Sequence, residues 1–173
     1  MKYNTFYKNY SKSISDLLSS IDTNLIDQSV ELINKKIKTN NTTYIAGNGG
    51  SASIASHVSV DFIKVAKVKS STFNNSNLIT CYANDYGYEN WVKEAIKSYC
   101  HKNDLLILIS SSGKSPNIVN AAQNTMTSGN SIFMSIDGLK WWYNLTGGYA
   151  GWSGNGANPA GVSCYIKMDA ELW

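Results

Sequence analysis

Two almost uninterrupted apolar runs each lead into a turn of glycine and serine, and this arrangement constrains the fold more than any other feature of the sequence. The run TTYIA (42–46) precedes GNGGS (47–51), and the run DLLILIS (104–110) precedes SSGKS (111–115). Short apolar runs of this kind are typical of strands buried on both faces of a parallel sheet. A helical pattern follows each turn. The sequence therefore predicts an α/β fold.

The rest of the chain up to residue 136 continues this alternation. Helices are predicted at 51–64, 88–100 and 115–129, and further strands at 77–83 and 131–136. The pattern predicts a three-layer α/β sandwich, in which helices cover both faces of a parallel sheet.

The N-terminal segment has the pattern of an amphipathic helix. Between Ser13 and Lys38 the apolar residues recur at steps of three and four, which predicts one or two helices with a break near 22–24. The apolar stripe is narrow, so it could pack on another subunit. Packing on the core of its own chain is the simpler expectation.

The chain has 173 residues, which suits a single domain. We divide it into N-terminal helices (1–40), an α/β core (41–136) and an atypical C-terminal segment (137–173). That last segment is rich in Gly, Asn and aromatic residues, and its strand candidate is GVSCYIKM (161–168). The rest of it has the composition of a loop.

The composition argues against several classes of protein. The net charge of +3 is too small to indicate nucleic-acid binding. Cys81, Cys100 and Cys164 are too widely spaced to predict a disulfide framework or a zinc knuckle. The N terminus lacks the apolar core of a signal peptide, and no stretch approaches the roughly 20 apolar residues of a membrane span. We therefore predict a cytoplasmic protein that does not bind membranes.

The two turns are suited to binding an anion. In an open parallel sheet, ligands bind beyond the carboxyl ends of the strands, where helix N termini present unpaired N–H groups. Ser110, Ser111, Ser112 and Ser115 surround Gly113 and could add hydroxyl donors. A helix cap needs one serine rather than four. The sequence therefore favours a phosphate cradle over a simple cap.

Two nucleotide-binding motifs fit the sequence poorly. Segment 47–52 satisfies G-x-G-x-x-A, but no Asp or Glu lies between Asp61 and Asp85, where a ribose-binding acid is expected. The segment GKS (113–115) resembles the end of a P-loop, yet the first glycine of that motif would fall on Leu108. We therefore expect no nucleotide cofactor.

Three motifs taken together resemble a known family. GNGGSASIASH (47–57), NDYGYE (84–89) and LISSSGKSPN (108–117) look like the sugar isomerase (SIS) domain, and within it they are similar to bacterial phosphoheptose isomerases. The resemblance extends from the N-terminal helices to about Ile136. It implies a five-stranded parallel sheet flanked by helices, a homotetramer with active sites at subunit interfaces, and a phosphorylated sugar as the ligand.

The resemblance also implies which residues bind that ligand. The serine-rich turn would bind the phosphate, while the glycine turn and the NDYGYE motif would contact the sugar. The implied substrate-binding residues are Asn48, Gly49, Gly50, Ser51, Asn84, Asp85, Ser110, Ser111, Ser112 and Ser115.

A histidine and a carboxylate follow the first turn. His57 and Asp61 are four residues apart, which places them on one face of a helix. Aldose–ketose interconversion through an enediol needs a base near one carbon and an acid near the carbonyl oxygen. The resemblance makes Asp61 the catalytic base beside His57, and some members of the family bind zinc through this pair. Asp61 stands where the family has glutamate, which is one methylene longer.

The sequence departs from the family after residue 136. In the family the last helix brings a glutamine and a second histidine, whereas no histidine follows His101 here. Asp137, Asp169 and Glu171 are available as acids, but their spacing selects none of them. Two hypotheses stay open. One is an isomerase that makes a heptose 7-phosphate for surface polysaccharide, and the other is an SIS module that binds a phosphosugar without turnover.

Overall fold

The computed structural model describes residues 2–128 and 132–135. Strands and helices alternate along most of this part of the chain. In chain order the elements are α1 (Lys2–Ser19), α2 (Thr23–Lys38), β1 (Thr43–Gly47), α3 (Gly50–Lys64), β2 (Ser70–Thr72), α4 (Ser76–Tyr86), α5 (Trp91–Tyr99), β3 (Leu105–Ile109), α6 (Pro116–Ser128) and β4 (Ile132–Ser135).

The strands in these ranges form one parallel sheet in the order β2-β1-β3-β4. The predicted α/β fold with a parallel sheet is therefore confirmed. The described residues contribute four strands, so the count of five and the three-layer arrangement stay predictions. The strand candidate at 161–168 lies outside the described residues.

Successive residues of β3 belong to two different apolar clusters. Leu106 and Leu108 pack with side chains of α5 and α6, whereas Leu105, Ile107 and Ile109 pack with Ala55 of α3 and with partly buried residues of α2 and α3. All five residues of the strand are buried. Burial on both faces explains why this strand is an unbroken apolar run in the sequence.

The prediction of a strand at 77–83 is wrong, because this segment lies in helix α4. The side chain of Asn75 caps the helix by accepting hydrogen bonds from the N–H groups of Asn77 at 2.9 Å and Leu78 at 3.4 Å. One face of α4 packs on the core at helical spacing. Its packing residues are Leu78, Ile79, Tyr82 and Ala83.

The sequence analysis did not predict β2. This strand pairs with β1 at the edge of the described sheet, and its register runs from Thr43↔Ser70 to Ile45↔Thr72. Three polar residues form it, and none of them is fully buried. A short polar edge strand leaves no apolar run in the sequence.

The N-terminal segment forms two helices, which confirms the break near 22–24. Asp22 caps α2 by accepting a hydrogen bond from the N–H of Asn24 at 2.9 Å. Helix α1 starts well before the predicted Ser13, at Lys2. Most of its large apolar residues are exposed, namely Tyr3, Phe6, Tyr7, Tyr10, Ile14 and Leu18, while Leu17 is partly buried. None of the helices in the described residues is long and apolar enough to cross a membrane.

Candidate functional site

The glycine turn (47–51) and the serine turn (110–115) lie side by side at one edge of the sheet. β1 and β3 are parallel neighbours, and their last residues, Gly47 and Ile109, are paired. Both segments therefore leave the sheet at the carboxyl ends of the strands. Ligands bind at this edge in open α/β sheets.

The glycine turn needs glycine at two positions. A Cβ atom on Gly47 would lie 2.8 Å from the backbone carbon of Ser51, so a side chain there would push α3 away from β1. Gly49 has φ +52° and ψ −121°, a conformation that other residues rarely adopt. Helix α3 then begins at Gly50, and the N–H of Ser51 donates to the carbonyl of Asn48 at 2.9 Å. Gly49 and Gly50 are exposed, so a ligand can approach their backbone closely.

The serine turn is shaped by its own hydroxyl groups. Ser110 is buried, and its Oγ accepts a hydrogen bond from the N–H of Gly113 at 3.0 Å. The Oγ of Ser112 accepts one from the N–H of Lys114 at 3.3 Å. Gly113 has φ +59°, which favours glycine. Ser111 and Ser112 are exposed at the surface of the turn.

Helix α6 begins directly after the serine turn. The carbonyl of Ser115 accepts hydrogen bonds from the N–H groups of Ile118 and Val119, both at 3.0 Å. Pro116 occupies the first helical position, where its missing N–H costs nothing. The N terminus of this helix therefore carries its partial positive charge next to exposed hydroxyl groups, an arrangement suited to an anion.

A reciprocal pair of amides joins the two turns. Nδ2 of Asn48 donates to Oδ1 of Asn117 at 2.9 Å, and Nδ2 of Asn117 donates back to Oδ1 of Asn48 at 2.8 Å. The hydroxyl of Tyr88 lies 3.5 Å from the same Oδ1 of Asn48. The sequence analysis did not single out Asn117. A signal for it existed, because asparagine inside a helix is unfavourable unless its side chain has a specific partner.

The predicted sugar-binding residues of the NDYGYE motif lie at the C-terminal end of α4. Nδ2 of Asn84 donates to Oδ1 of Asp85 at 2.9 Å, and the thiol of Cys81 lies 3.9 Å from the other carboxylate oxygen. Both Asn84 and Asp85 are exposed. The contact to the glycine turn comes instead from Tyr88, in the segment that follows the helix.

His57 and Asp61 lie on α3, as the spacing predicts. Nε2 of His57 is 3.5 Å from Oδ2 of Asp61, and the two side chains are 81% and 52% exposed. The distance permits an ion pair when the imidazole is protonated, but water screens a pair this exposed. Exposed apolar residues lie on the same helix, at Ile54 and Val60 among others.

The described residues offer only part of a metal site. His57 and Asp61 could supply two ligands, whereas a zinc site usually has at least three protein ligands. Within residues 2–128 and 132–135 no three His, Cys, Asp or Glu side chains cluster to hold an ion. The predicted zinc site therefore does not fit these residues alone, and we derive no step through a metal.

Several sequence candidates lie outside the described residues. They are the three alternative acids of the C-terminal segment, namely Asp137, Asp169 and Glu171.

Comparison with known proteins places the chain in a family. Residues 6–133 match the SIS domain, and the chain belongs to this family. The assignment agrees with the paired strands and the two adjacent turns described above.

Curated relatives within the family share moderate identity with this chain. It is 37% identical over 114 residues to phosphoheptose isomerase 2 of Campylobacter jejuni, an alignment that covers 59% of this chain and 55% of the relative. It is 34% identical over 103 residues to the phosphoheptose isomerase of Helicobacter pylori strain P12, covering 56% and 54%. The aligned part thus spans about half the length of these relatives.

Solved structures show the same fold at lower identity. The structure of a phosphoheptose isomerase from Francisella tularensis matches with a TM-score of 0.70 at 18% identity, covering 79% of this chain and 74% of the other. The phosphoheptose isomerase from Neisseria gonorrhoeae matches with a TM-score of 0.65 at 20% identity, covering 79% and 73%. These likenesses establish the SIS-like fold.

Proposed function

We propose that this chain is a phosphosugar isomerase that interconverts sedoheptulose 7-phosphate and a heptose 7-phosphate through an enediol. The observation that carries the proposal is the placement of the two turns, which are joined by the Asn48–Asn117 amide pair at the carboxyl edge of the sheet. The names of the curated relatives support the same class of reaction.

In this proposal the serine turn binds the phosphate. Three features favour it: the N terminus of α6, the positive φ of Gly113 and the exposed hydroxyls of Ser111 and Ser112. Together they offer amide and hydroxyl donors, which match the three oxygens of a phosphate monoester. Ser110 and Ser115 shape the turn and the start of the helix.

The glycine turn then holds the sugar beside the helix that carries the base. Gly49, Gly50 and Ser51 let the ligand approach the backbone, and Asn48 presents its amide next to Tyr88. We assign Asn84 and Asp85 to the sugar as well, because they end the helix that leads to Tyr88.

The proposed chemistry uses Asp61 as the base. Its carboxylate takes the proton from the carbon next to the carbonyl, which leaves an enediolate. The proton of the adjacent hydroxyl passes to the other oxygen, and the carboxyl group returns its own proton to the former carbonyl carbon. His57 lies 3.5 Å away and orients that carboxylate. A zinc ion on this pair would need a further ligand from outside the described residues, so we assign it no step.

The exposure of Asp61 supports a homo-oligomer. A carboxylate that is 52% exposed sits in water, and an efficient base needs a covered site. The apolar face of α1 is exposed, and so are Val60 and Ile63 on α3. We propose that copies of the chain cover these surfaces in a tetramer and complete the active site. We place the protein in the cytoplasm, where it would serve surface polysaccharide synthesis.

A second candidate function is a binding module without turnover. The features that favour it are the exposure of Asp61 and its side chain, which is shorter than the glutamate implied by the family. A displacement of about 1 Å can cost roughly a hundredfold in rate. Such a module would keep the phosphate site and lose the proton transfer.

Proton exchange in heavy water separates the two functions. The full-length protein is incubated with sedoheptulose 7-phosphate in D₂O, and deuterium at the carbon next to the carbonyl is followed by NMR. An isomerase incorporates deuterium even when net conversion is slow. Binding by calorimetry without incorporation would identify the binding module, and absence of both would contradict the proposed function altogether.

Replacing the base tests its assignment. We expect Asp61→Asn to slow deuterium incorporation roughly 10²- to 10⁴-fold, which is the usual contribution of a general base, and to leave phosphosugar affinity within about threefold. Asp22→Asn is the matched control, because asparagine caps a helix as well as aspartate does. Exchange that survives Asp61→Asn would show that another group is the base.

A further inference from the structure

The amide of Asn117 is placed to act on the site through Asn48. Its side chain is buried, with the residue 1% exposed, and it lies in the first turn of α6. Its Nδ2 donates to Asn48 and its Oδ1 accepts from Asn48, so neither of these hydrogen bonds is made within its own helix. A buried polar side chain must be paired, so this pairing fixes the orientation of both amides.

The pair also limits what Asn48 can offer a ligand. One N–H of its amide and one lone pair of its Oδ1 are taken by Asn117, and Tyr88 lies 3.5 Å from that oxygen. The second N–H of Asn48 is then the donor left for a ligand. A free asparagine could rotate its amide or turn away, whereas this one is held in a single orientation.

Helix α6 also contacts the segment that follows α4, again through an asparagine side chain. Nδ2 of Asn120 donates to the carbonyl of Glu89 at 2.8 Å, and Glu89 directly follows Tyr88. Residues 117 and 120 are three apart, so they lie on one face of the helix. That face therefore contacts both the glycine turn and the segment after α4, while the N terminus of the helix follows the serine turn.

We propose that Asn117 is a positioning residue, which locks the amide of Asn48 and makes the glycine turn and the serine turn act as one unit. Asn117 reaches the reaction only through Asn48. The kinetic consequence rests on the proposed function, whereas the coupling between the two amides does not.

A double-mutant cycle measures the coupling in the full-length protein. We expect Asn117→Ala to lower kcat/KM for sedoheptulose 7-phosphate roughly 10- to 100-fold, since small misplacements of a site group have costs of this order. In an Asn48→Ala background the same change should cost less than about twofold, because its target is gone. An equal loss in both backgrounds would overturn the proposal.

A matched control separates positioning from stability. Thr125 is also 1% exposed on α6, and its hydroxyl donates to the carbonyl of Ala121 at 2.9 Å. Thr125→Ala should therefore weaken the helix comparably and leave kcat/KM within about twofold. A loss like that of Asn117→Ala would mean that helix stability alone explains the effect.

A spectroscopic readout works without turnover. In ¹⁵N NMR spectra we expect the side-chain amide resonances of Asn48 to shift in Asn117→Ala and to stay in place in Thr125→Ala. If the resonances do not shift, the coupling is wrong. If they shift while the wild-type protein exchanges no deuterium, the coupling stands and the isomerase assignment alone fails.

Discussion

The two ends of the sheet are built in opposite ways. At the amino end Asp104 is buried, and its two carboxylate oxygens accept hydrogen bonds from the N–H groups of Thr42 and His101, both at 2.8 Å. At the carboxyl end Gly49 and Ser111 are exposed, and the N terminus of α6 follows the serine turn directly. The carboxylate of Asp104 is paired on both oxygens within the chain, whereas Gly49 and Ser111 are exposed at the end where we propose that the ligand binds.

Ionisable groups at the amino end show the effect of burial. Burial lowers the pKa of Lys36, and the neighbouring Lys35 lowers it further, while the charge of Asp104 opposes them. The ammonium of Lys36 donates to the carbonyl of Asn103. Burial, with a smaller contribution from Asp104, raises the pKa of Cys100 to about 12, so its thiol stays protonated at neutral pH. A thiol that stays protonated is a poor nucleophile.

The largest effect on stability is expected at the amino end. Asp104→Ala leaves the N–H groups of Thr42 and His101 unpaired and removes the negative charge near Lys36. Each orphaned group costs about 1–3 kcal/mol, so we expect a loss of about 3 kcal/mol in the free energy of unfolding. Urea denaturation measures it.

A matched carboxylate at the other end provides the control. Asp85 is exposed at the end of α4, and Asp85→Ala should change the unfolding free energy by less than about 0.5 kcal/mol. If Asp104→Ala and Asp85→Ala lowered the free energy of unfolding equally, the two ends of the sheet would not differ as described.

An intermediate effect is expected in the glycine turn. Gly49 has φ +52°, and a Cβ atom added to it would meet no atom of the described residues within 4 Å. Gly49→Ala therefore strains the backbone without a steric clash, and it should lower the free energy of unfolding by about 1–3 kcal/mol. Gly50 has the same open space without a positive φ, and Gly50→Ala should be neutral or stabilising by up to about 1 kcal/mol. Thermal unfolding of the two variants gives the comparison, and similar values would show that the turn does not depend on the conformation of Gly49.

The smallest effect is expected away from both ends. Oε1 of Glu94 lies 2.8 Å from Nζ of Lys97, and this hydrogen bond lowers the pKa of the carboxyl group below its ordinary value of 4.5. A lowered carboxyl pKa stabilises the fold above the ordinary value and loses that contribution as the pH falls through the folded value. Glu94→Gln should therefore cost about 0.5 kcal/mol at pH 7 and nothing near pH 2. If the loss of stability caused by Glu94→Gln grew as the pH fell, the direction given for the pKa shift of Glu94 would be wrong.

The sequence predicts the centre of this fold better than its edge. The strand at 104–110 is recognisable because both of its faces are buried, and each buried face demands apolar residues. The segment 77–83 is ambiguous, since a short apolar run fits a strand and a buried helix face equally well. The cap at Asn75 resolves it in favour of a helix. β2 consists of three polar residues, so it has no apolar run from which a strand could be predicted.

The same distinction applies to the candidate site. Local signals predict the two turns, because glycine permits the backbone conformations of a turn and serine supplies short-range side-chain hydrogen bonds. The pairing of Asn48 with Asn117 joins residues 69 positions apart in the sequence, and only the parallel pairing of β1 and β3 brings them together. Sequence spacing cannot reveal such a contact, although an asparagine in the first turn of α6 marks where to look.

Calorimetric titration of sedoheptulose 7-phosphate into the Ser111→Ala, Ser112→Ala double variant tests the central claim most directly. The control is Ser19→Ala with Ser20→Ala, two exposed serines at the end of α1. If the serine turn binds the phosphate, the loss of two hydroxyl donors should weaken affinity at least about tenfold, while the control binds as the wild type does. Unchanged affinity in the Ser111→Ala, Ser112→Ala protein would contradict the account.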